Sequence, residues 1–97
     1  MVTVYQRAIA EFGADKQIEC VIEECLELAL VLQHAKRKKA GVKEIVDEVA
    51  DVEIMLKQLR IILNENAAIF ERKCYKIARL TNRIFHHHEL KQKEGSA

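Results

Sequence analysis

Two acidic units of the same spacing, Glu24-Cys-Leu-Glu27 and Glu48-Val-Ala-Asp51, flank a basic loop, Lys36-Arg37-Lys38-Lys39-Ala40-Gly41. Carboxylates three residues apart share one side of a helix, so two such helices facing each other gather four negative charges. Like charges about 4 Å apart repel by roughly 4 kcal/mol at an intermediate dielectric, and such a cluster is sensible only around a cation. The fold must then set two helices side by side. In an antiparallel hairpin, residues at one height are equidistant from the turn, and the two acidic units are equidistant from the basic loop. That loop suits a helix end, since cations complement the negative end of the dipole and Gly41 suits the C′ position.

The rest of the chain supplies helices for this hairpin. No proline and only 3 glycines interrupt the 97 residues, which allows long helices and disfavours a turn-rich β architecture. Tyr5, Ala8, Ile9 and Phe12 recur at helical spacing behind a Thr3/Gln6 capping pattern, predicting a short helix over Thr3 to Phe12. Gly13-Ala14 breaks it, and Asp15 is the expected N-cap of the next helix. From Ile18 to Leu32, 11 of 15 residues are apolar or Cys, too many for one face. The expected core stripe is Ile18, Ile22, Cys25, Ala29 and Leu32, widened by Val21, Leu28 and Ala35. Such a helix needs partners on several sides, some from another subunit.

Val42 to Leu63 is the second arm, with an expected core stripe of Ile45, Val49, Val52, Leu56, Leu59 and Leu63 and with Glu48, Asp51, Met55 and Ile62 alongside. Asn64-Glu65-Asn66 ends it and caps a further helix from about Ala67 to Phe85, apolar at Ile69, Phe70, Cys74, Ile77, Leu80 and Ile84. Its other side carries Arg72, Lys73, Lys76, Arg79 and Arg83. His86-His87-His88 and the polar residues to Ala97 read as a frayed tail, because adjacent histidines on a helix splay around its axis rather than converge. The expectation is all-α: one domain over 1–97 with its core at about 15–84, an antiparallel helical bundle of a long hairpin, a third helix and a short N-terminal helix, completed as a homodimer or homotetramer.

Composition excludes several function classes. A net charge of +1 leaves no strong field to draw nucleic acid or an anionic membrane. Three cysteines, none in a Cys-x-x-Cys unit, read as reduced small hydrophobes of a cytoplasmic protein. The aliphatic run Leu28 to Leu32 is far short of a membrane span. Any electrostatic function is therefore local, at the acidic units. Neither contains His, which disfavours a di-iron bundle built on Glu-x-x-His. All-oxygen ligands favour Mg²⁺ or Mn²⁺, and Mg²⁺ commonly binds together with substrate phosphates, which points to a nucleotide. Glu23 lies close in azimuth to Glu27 and can accept a proton or hold a metal water; Glu44 and Asp47 read as solvent-facing residues near a helix N-terminus.

The run Gln17-Ile-Glu-Cys-Val-Ile-Glu23-Glu24-Cys-Leu-Glu27-Leu, with twenty residues between Glu27 and the unit Glu48-Val-Ala-Asp51-Val, resembles the MazG-like nucleotide pyrophosphohydrolases, whose pattern is Glu-Glu-x-x-Glu, a spacer, then Glu-x-x-Asp. Lys76, Arg79-Leu80 and Arg83 resemble the basic helix that follows the motif, so the likeness covers roughly residues 15 to 84. The resemblance implies an oligomeric all-α enzyme that hydrolyses a nucleoside triphosphate to the monophosphate and pyrophosphate. Carried over by position, Glu24, Glu27, Glu48 and Asp51 hold Mg²⁺, while Lys76, Arg79 and Arg83, with Lys73, take the phosphate tail. The resemblance also assigns Gln17 a contact with the nucleotide. It also implies that activated water attacks the α-phosphorus and that the base pocket lies near the N-terminal helix. Two alternatives stand beside this reading: a phosphoribosyl-ATP pyrophosphohydrolase with a similar acidic motif, and a catalytically silent helical interaction module. Nucleic-acid binding through the basic helix is disfavoured by the near-neutral charge.

Overall fold

The computed structural model describes residues 1–95, and all the regular secondary structure among them is helical, with α1 at Val4–Phe12, α2 at Ala14–Lys36, α3 at Val42–Leu63 and α4 at Asn66–Gly95. It divides into two compact units, Met1–Asn64 and the chain from Glu65 onward. The helix boundaries of the first unit follow from local chemistry. Thr3 and Gln6 close the expected capping box, with Thr3 N–H donating to Gln6 Oε1 at 2.8 Å and Gln6 N–H to Thr3 Oγ1 at 3.2 Å. Gly13 then turns the chain at φ 91°, ψ 151°, a region essentially reserved for glycine. Gly13 is also the residue that precedes α2, so Asp15 is not the N-cap; it lies in the first turn, where its charge faces the positive dipole end.

The α2–α3 turn also departs from expectation. Lys38, at φ 60°, takes the left-handed C′ position expected of Gly41. Lys39 N–H donates to His34 O at 2.8 Å and Lys38 N–H to Ala35 O at 2.9 Å, the bonding pattern of a Schellman motif. Gly41 instead starts α3 in an extended conformation, its N–H taken by Glu44 Oε2 at 2.9 Å. The exposed Glu44 in the first turn therefore acts as the expected N-terminal acid. At the far end, Asn64 at φ 51° closes α3 by donating its N–H to Arg60 O at 3.0 Å.

Helices α2 and α3 pack against each other, with α1 against both. Gln17 of α2 bonds Gln58 of α3 while Glu24 meets Glu48, so residue number rises along one helix as it falls along the other. The hairpin is antiparallel and centred on Arg37 and Lys38, as the spacing of the acidic units requires. Its most buried residues are Val21, Val52 and Met55, joined by Gln17 and Gln58. Tyr5, Ala8 and Ile9 of α1 are half-buried, and Lys57 of α3 lies over the Tyr5 ring, 5.8 Å from its centroid. Phe12, expected on the same packed side, is exposed.

The buried faces match the expected stripes only in part: Ile18, Val21, Leu28 and Ala35 of α2 and Ile45, Val52 and Leu59 of α3 are buried or half-buried as expected, and the other stripe residues are exposed. On α2 the inward row is Gln17, Val21, Glu24, Leu28 and Val31, while Ile22, Cys25, Leu26, Ala29, Leu30 and Leu32 are exposed. On α3 it is Ile45, Glu48, Val52, Met55 and Ile62 with Leu59, while Val49, Leu56 and Leu63 are exposed. Each helix buries the row that carries an acid and leaves a more uniformly aliphatic row open.

In the second unit, α4 runs through His86-His87-His88 to Gly95, so those residues are helical rather than a frayed end; Ser96 and Ala97, the last of the expected tail, lie outside the described residues. The extension is physically sensible, since Glu89 to Glu94 consists of good helix formers. Phe70, Ile77, Leu80, Ile84, Phe85 and Leu90 are all exposed along it. No helix among the described residues is long and apolar enough to cross a membrane.

Candidate metal centre

Glu24 and Glu27 stand one turn apart on α2, and Glu48 projects from α3 at the same height. Each contributes one carboxylate oxygen to a group lying within 4.8 Å of one another. Glu24 and Glu48 are half-buried and Glu27 is exposed, so the group sits at the edge of the packed face, with one open side. Within it, Glu24 Oε2 and Glu48 Oε2 are buried without a hydrogen-bond partner. A buried carboxylate oxygen with no donor has lost its water and received nothing in exchange.

The electrostatics carry the same message. Loss of water, followed by the charges of Glu27 and Asp51, pushes the Glu24 carboxyl up from the ordinary 4.5 to about 7. Glu48 is raised in the same direction by desolvation, then by Glu27 and Asp51. A close pair of ionised carboxylates contains no donor at all. A hydrogen bond from Glu24 to Glu27 or Glu48 exists only when Glu24 keeps a proton; with all three ionised, the buried oxygens have no donor within the group. The centre has two ways to relieve itself, a proton or a cation.

These residues fit a hard divalent cation. All donors are carboxylate oxygens, two of which have no other partner, as Mg²⁺ and Mn²⁺ prefer. Their mutual separation, no more than 4.8 Å, is of the order that the ligands of one such ion would span, about twice its ~2.1 Å bond length.

The other sequence candidates fall in different places. Asp51 is exposed, one turn beyond Glu48; it is outside the three-carboxylate group but contributes its charge to both Glu24 and Glu48. Glu23 is exposed on α2 and outside the group as well. Gln17 is not a free surface amide: it is 6% exposed and its Nε2 donates to Gln58 Oε1. Lys73, Lys76, Arg79 and Arg83 are exposed on α4 in the second unit and make no ion pair among the described residues. Gln58 was not expected to matter; the only signal available was its place in the row Glu48, Met55, Gln58 at helical spacing. Comparison of the chain with protein-family models, with curated proteins and with solved structures gives no match, so the reading of this centre rests on its own residues.

Proposed function

We propose that this chain is a MazG-like nucleoside triphosphate pyrophosphohydrolase that works with Mg²⁺ or Mn²⁺ on a dNTP or a non-canonical NTP. The observation that carries the reading is the pair of partner-free, buried oxygens on Glu24 and Glu48, brought together from the two halves of the acidic motif. A structural role does not call for them, because an apolar pair of similar shape would pack the hairpin without the repulsion. Glu24, Glu27 and Glu48 hold the metal, and Asp51 adds negative charge one turn away. When bound, Mg²⁺ supplies positive charge to the phosphate oxygens and lowers the pKa of water. Glu23, exposed one turn before Glu27, is the carboxylate outside the metal group that can take up a proton. The cations of α4, Lys73, Lys76, Arg79 and Arg83, are donors suited to phosphate oxygens. The exposed aliphatic rows of α2, α3 and α4 support self-association as a homodimer or homotetramer.

The test is pyrophosphate release from a panel of ordinary, oxidised and methylated nucleoside triphosphates, with Mg²⁺, with Mn²⁺ and with chelator. Metal-dependent release of pyrophosphate and the matching monophosphate from any member is the expected result. Phosphoribosyl-ATP belongs in the same panel, because turnover of that compound alone would assign the chain to the related histidine-synthesis reaction. Silence across the whole panel would contradict the proposal.

A further inference from the structure

Helix α3 carries a second row that the hairpin leaves unused. Val42, Val46, Val49, Leu56 and Leu63, with Glu53 and Arg60 in the gaps between them, follow one another at alternating spacings of four and three residues along the whole helix. That 3.5-residue period is the seam of a coiled coil, about three heptads and ~32 Å long. The row that α3 buries is a different one, running through Ile45, Glu48, Val52, Met55 and Leu59. The aliphatic members of the seam are all exposed, from 38% at Val49 to 76% at Val42. A continuous aliphatic stripe open along a whole helix is the mark of an association surface.

Glu53 and Arg60 identify what covers it. Glu53 is exposed and makes no ion pair among the described residues, and Arg60, half-buried, lies two turns further along the seam. A helix that complements both charges is α3 itself, reversed. When Glu53 is level with Leu56 of a second copy, Arg60 is level with its Val49 and Leu63 with its Val46, because the residue numbers at each level have the same sum. Every charged seam residue then faces an aliphatic one. Each Glu53 also stands one turn from Arg60 of the other copy, twice by symmetry, within reach of two long side chains. Parallel pairing instead sets Glu53 on Glu53 and Arg60 on Arg60, like against like. Burial in a lipid surface would strip water from Glu53 and offer no counter-charge.

We infer that α3 is a self-association surface: two copies pair their α3 helices antiparallel through the Val42–Leu63 seam, with Glu53 of each copy beside Arg60 of the other. The inference names the face for the self-association proposed above and rests on that part of the reading, with no dependence on hydrolysis.

The test is sedimentation equilibrium of the full chain and its variants, with helical content followed by circular dichroism. The wild type is expected to associate reversibly. Glu53→Arg places two cations at each crossing and should weaken association by roughly tenfold or more, as should Arg60→Glu. Combining the two exchanges the charges and should restore association, which a general loss of stability would not do. Leu56→Lys changes a side chain already exposed in the single chain, so it should dissociate the pair with helicity kept; Leu26→Lys, on the open row of α2, should leave the pair intact. Should Arg60→Glu fail to fold, Glu53→Arg and Leu56→Lys set against Leu26→Lys decide the matter. A wild-type monomer would refute the self-association and this surface together. An oligomer insensitive to Glu53→Arg and Leu56→Lys, or a folded double variant that stays dissociated, would overturn this surface alone.

Discussion

The α2–α3 pair holds two polar clusters on its inner face, and they differ in whether the protein alone can satisfy them. Gln17 and Gln58 are the more deeply buried, at 6% and 5% exposure, yet they are neutral and answer each other, donor to acceptor. Glu24, Glu27 and Glu48, two turns along α2, are only partly buried and still leave two oxygens without a partner. Depth of burial is therefore a poor guide to which polar group is under stress; the match of donors to acceptors decides it. The amide pair is a settled part of the fold that orients the helices. The chain by itself leaves the acidic group incomplete, and that incompleteness is what supports the proposal of a metal site there.

The contrast is broken most severely by Glu48→Gln. It should lower divalent-cation affinity by more than about 100-fold, beyond the 10- to 100-fold typical of losing a supporting partner, and abolish pyrophosphate release. The metal-free variant should melt no lower than wild type, because a repelling charge has been removed; calorimetry and thermal melting in chelator check both halves. Asp51→Asn should act more mildly, with about a tenfold loss of affinity, since Asp51 contributes charge from outside the three-carboxylate group. It should also lower the titration midpoint of Glu24, measurable by NMR.

A pH series sharpens the comparison further. The Glu24 carboxyl rises from 4.5 to about 7 on folding, so the folded state binds this proton more tightly than the unfolded state. Below 4.5 the group is protonated in both states and carries no penalty. As pH rises toward and through 7, the metal-free protein must give up the proton inside the cluster, and stability falls. Mg²⁺ should offset the loss above pH 7 and do little near pH 5, with protons released on binding. Melting curves across that range, with and without Mg²⁺, provide the check. For the amide pair the expected effects are smaller and independent of metal. Gln17→Leu or Gln58→Leu alone should cost about 1–3 kcal/mol by leaving its partner unpaired, and the double variant should return close to wild type. Urea denaturation distinguishes these outcomes.

Much of this architecture is legible in the chain. The Thr3/Gln6 box starts α1 where expected, and the placing of the acidic units about the basic loop predicts a meeting of four carboxylates, of which Glu24, Glu27 and Glu48 come together and Asp51 stays outside the group. The buried face was legible only in part. Of the expected stripe Ile18, Ile22, Cys25, Ala29 and Leu32 only Ile18 is half-buried, while the flanking Val21 and Leu28 turn inward together with Gln17, Glu24 and Val31. Both rows of α2 are apolar enough to pack, and hydrophobicity by itself cannot rank two such faces of one helix. The role of Gln58 was hidden for a different reason: its importance comes from Gln17, 41 residues away, and no local pattern encodes that pairing. The length of α4 was underestimated because polar composition was read as fraying, whereas residues 89–94 favour helix on propensity alone.

The most direct test of the account is calorimetric titration of Mn²⁺ into the metal-free protein and into Glu48→Gln above pH 7. The predicted result is saturable binding to the wild-type chain with release of protons, lost in the variant while its helical content is retained. Absence of binding to the wild type, or equal binding to both proteins, would show that the three carboxylates are not a metal centre.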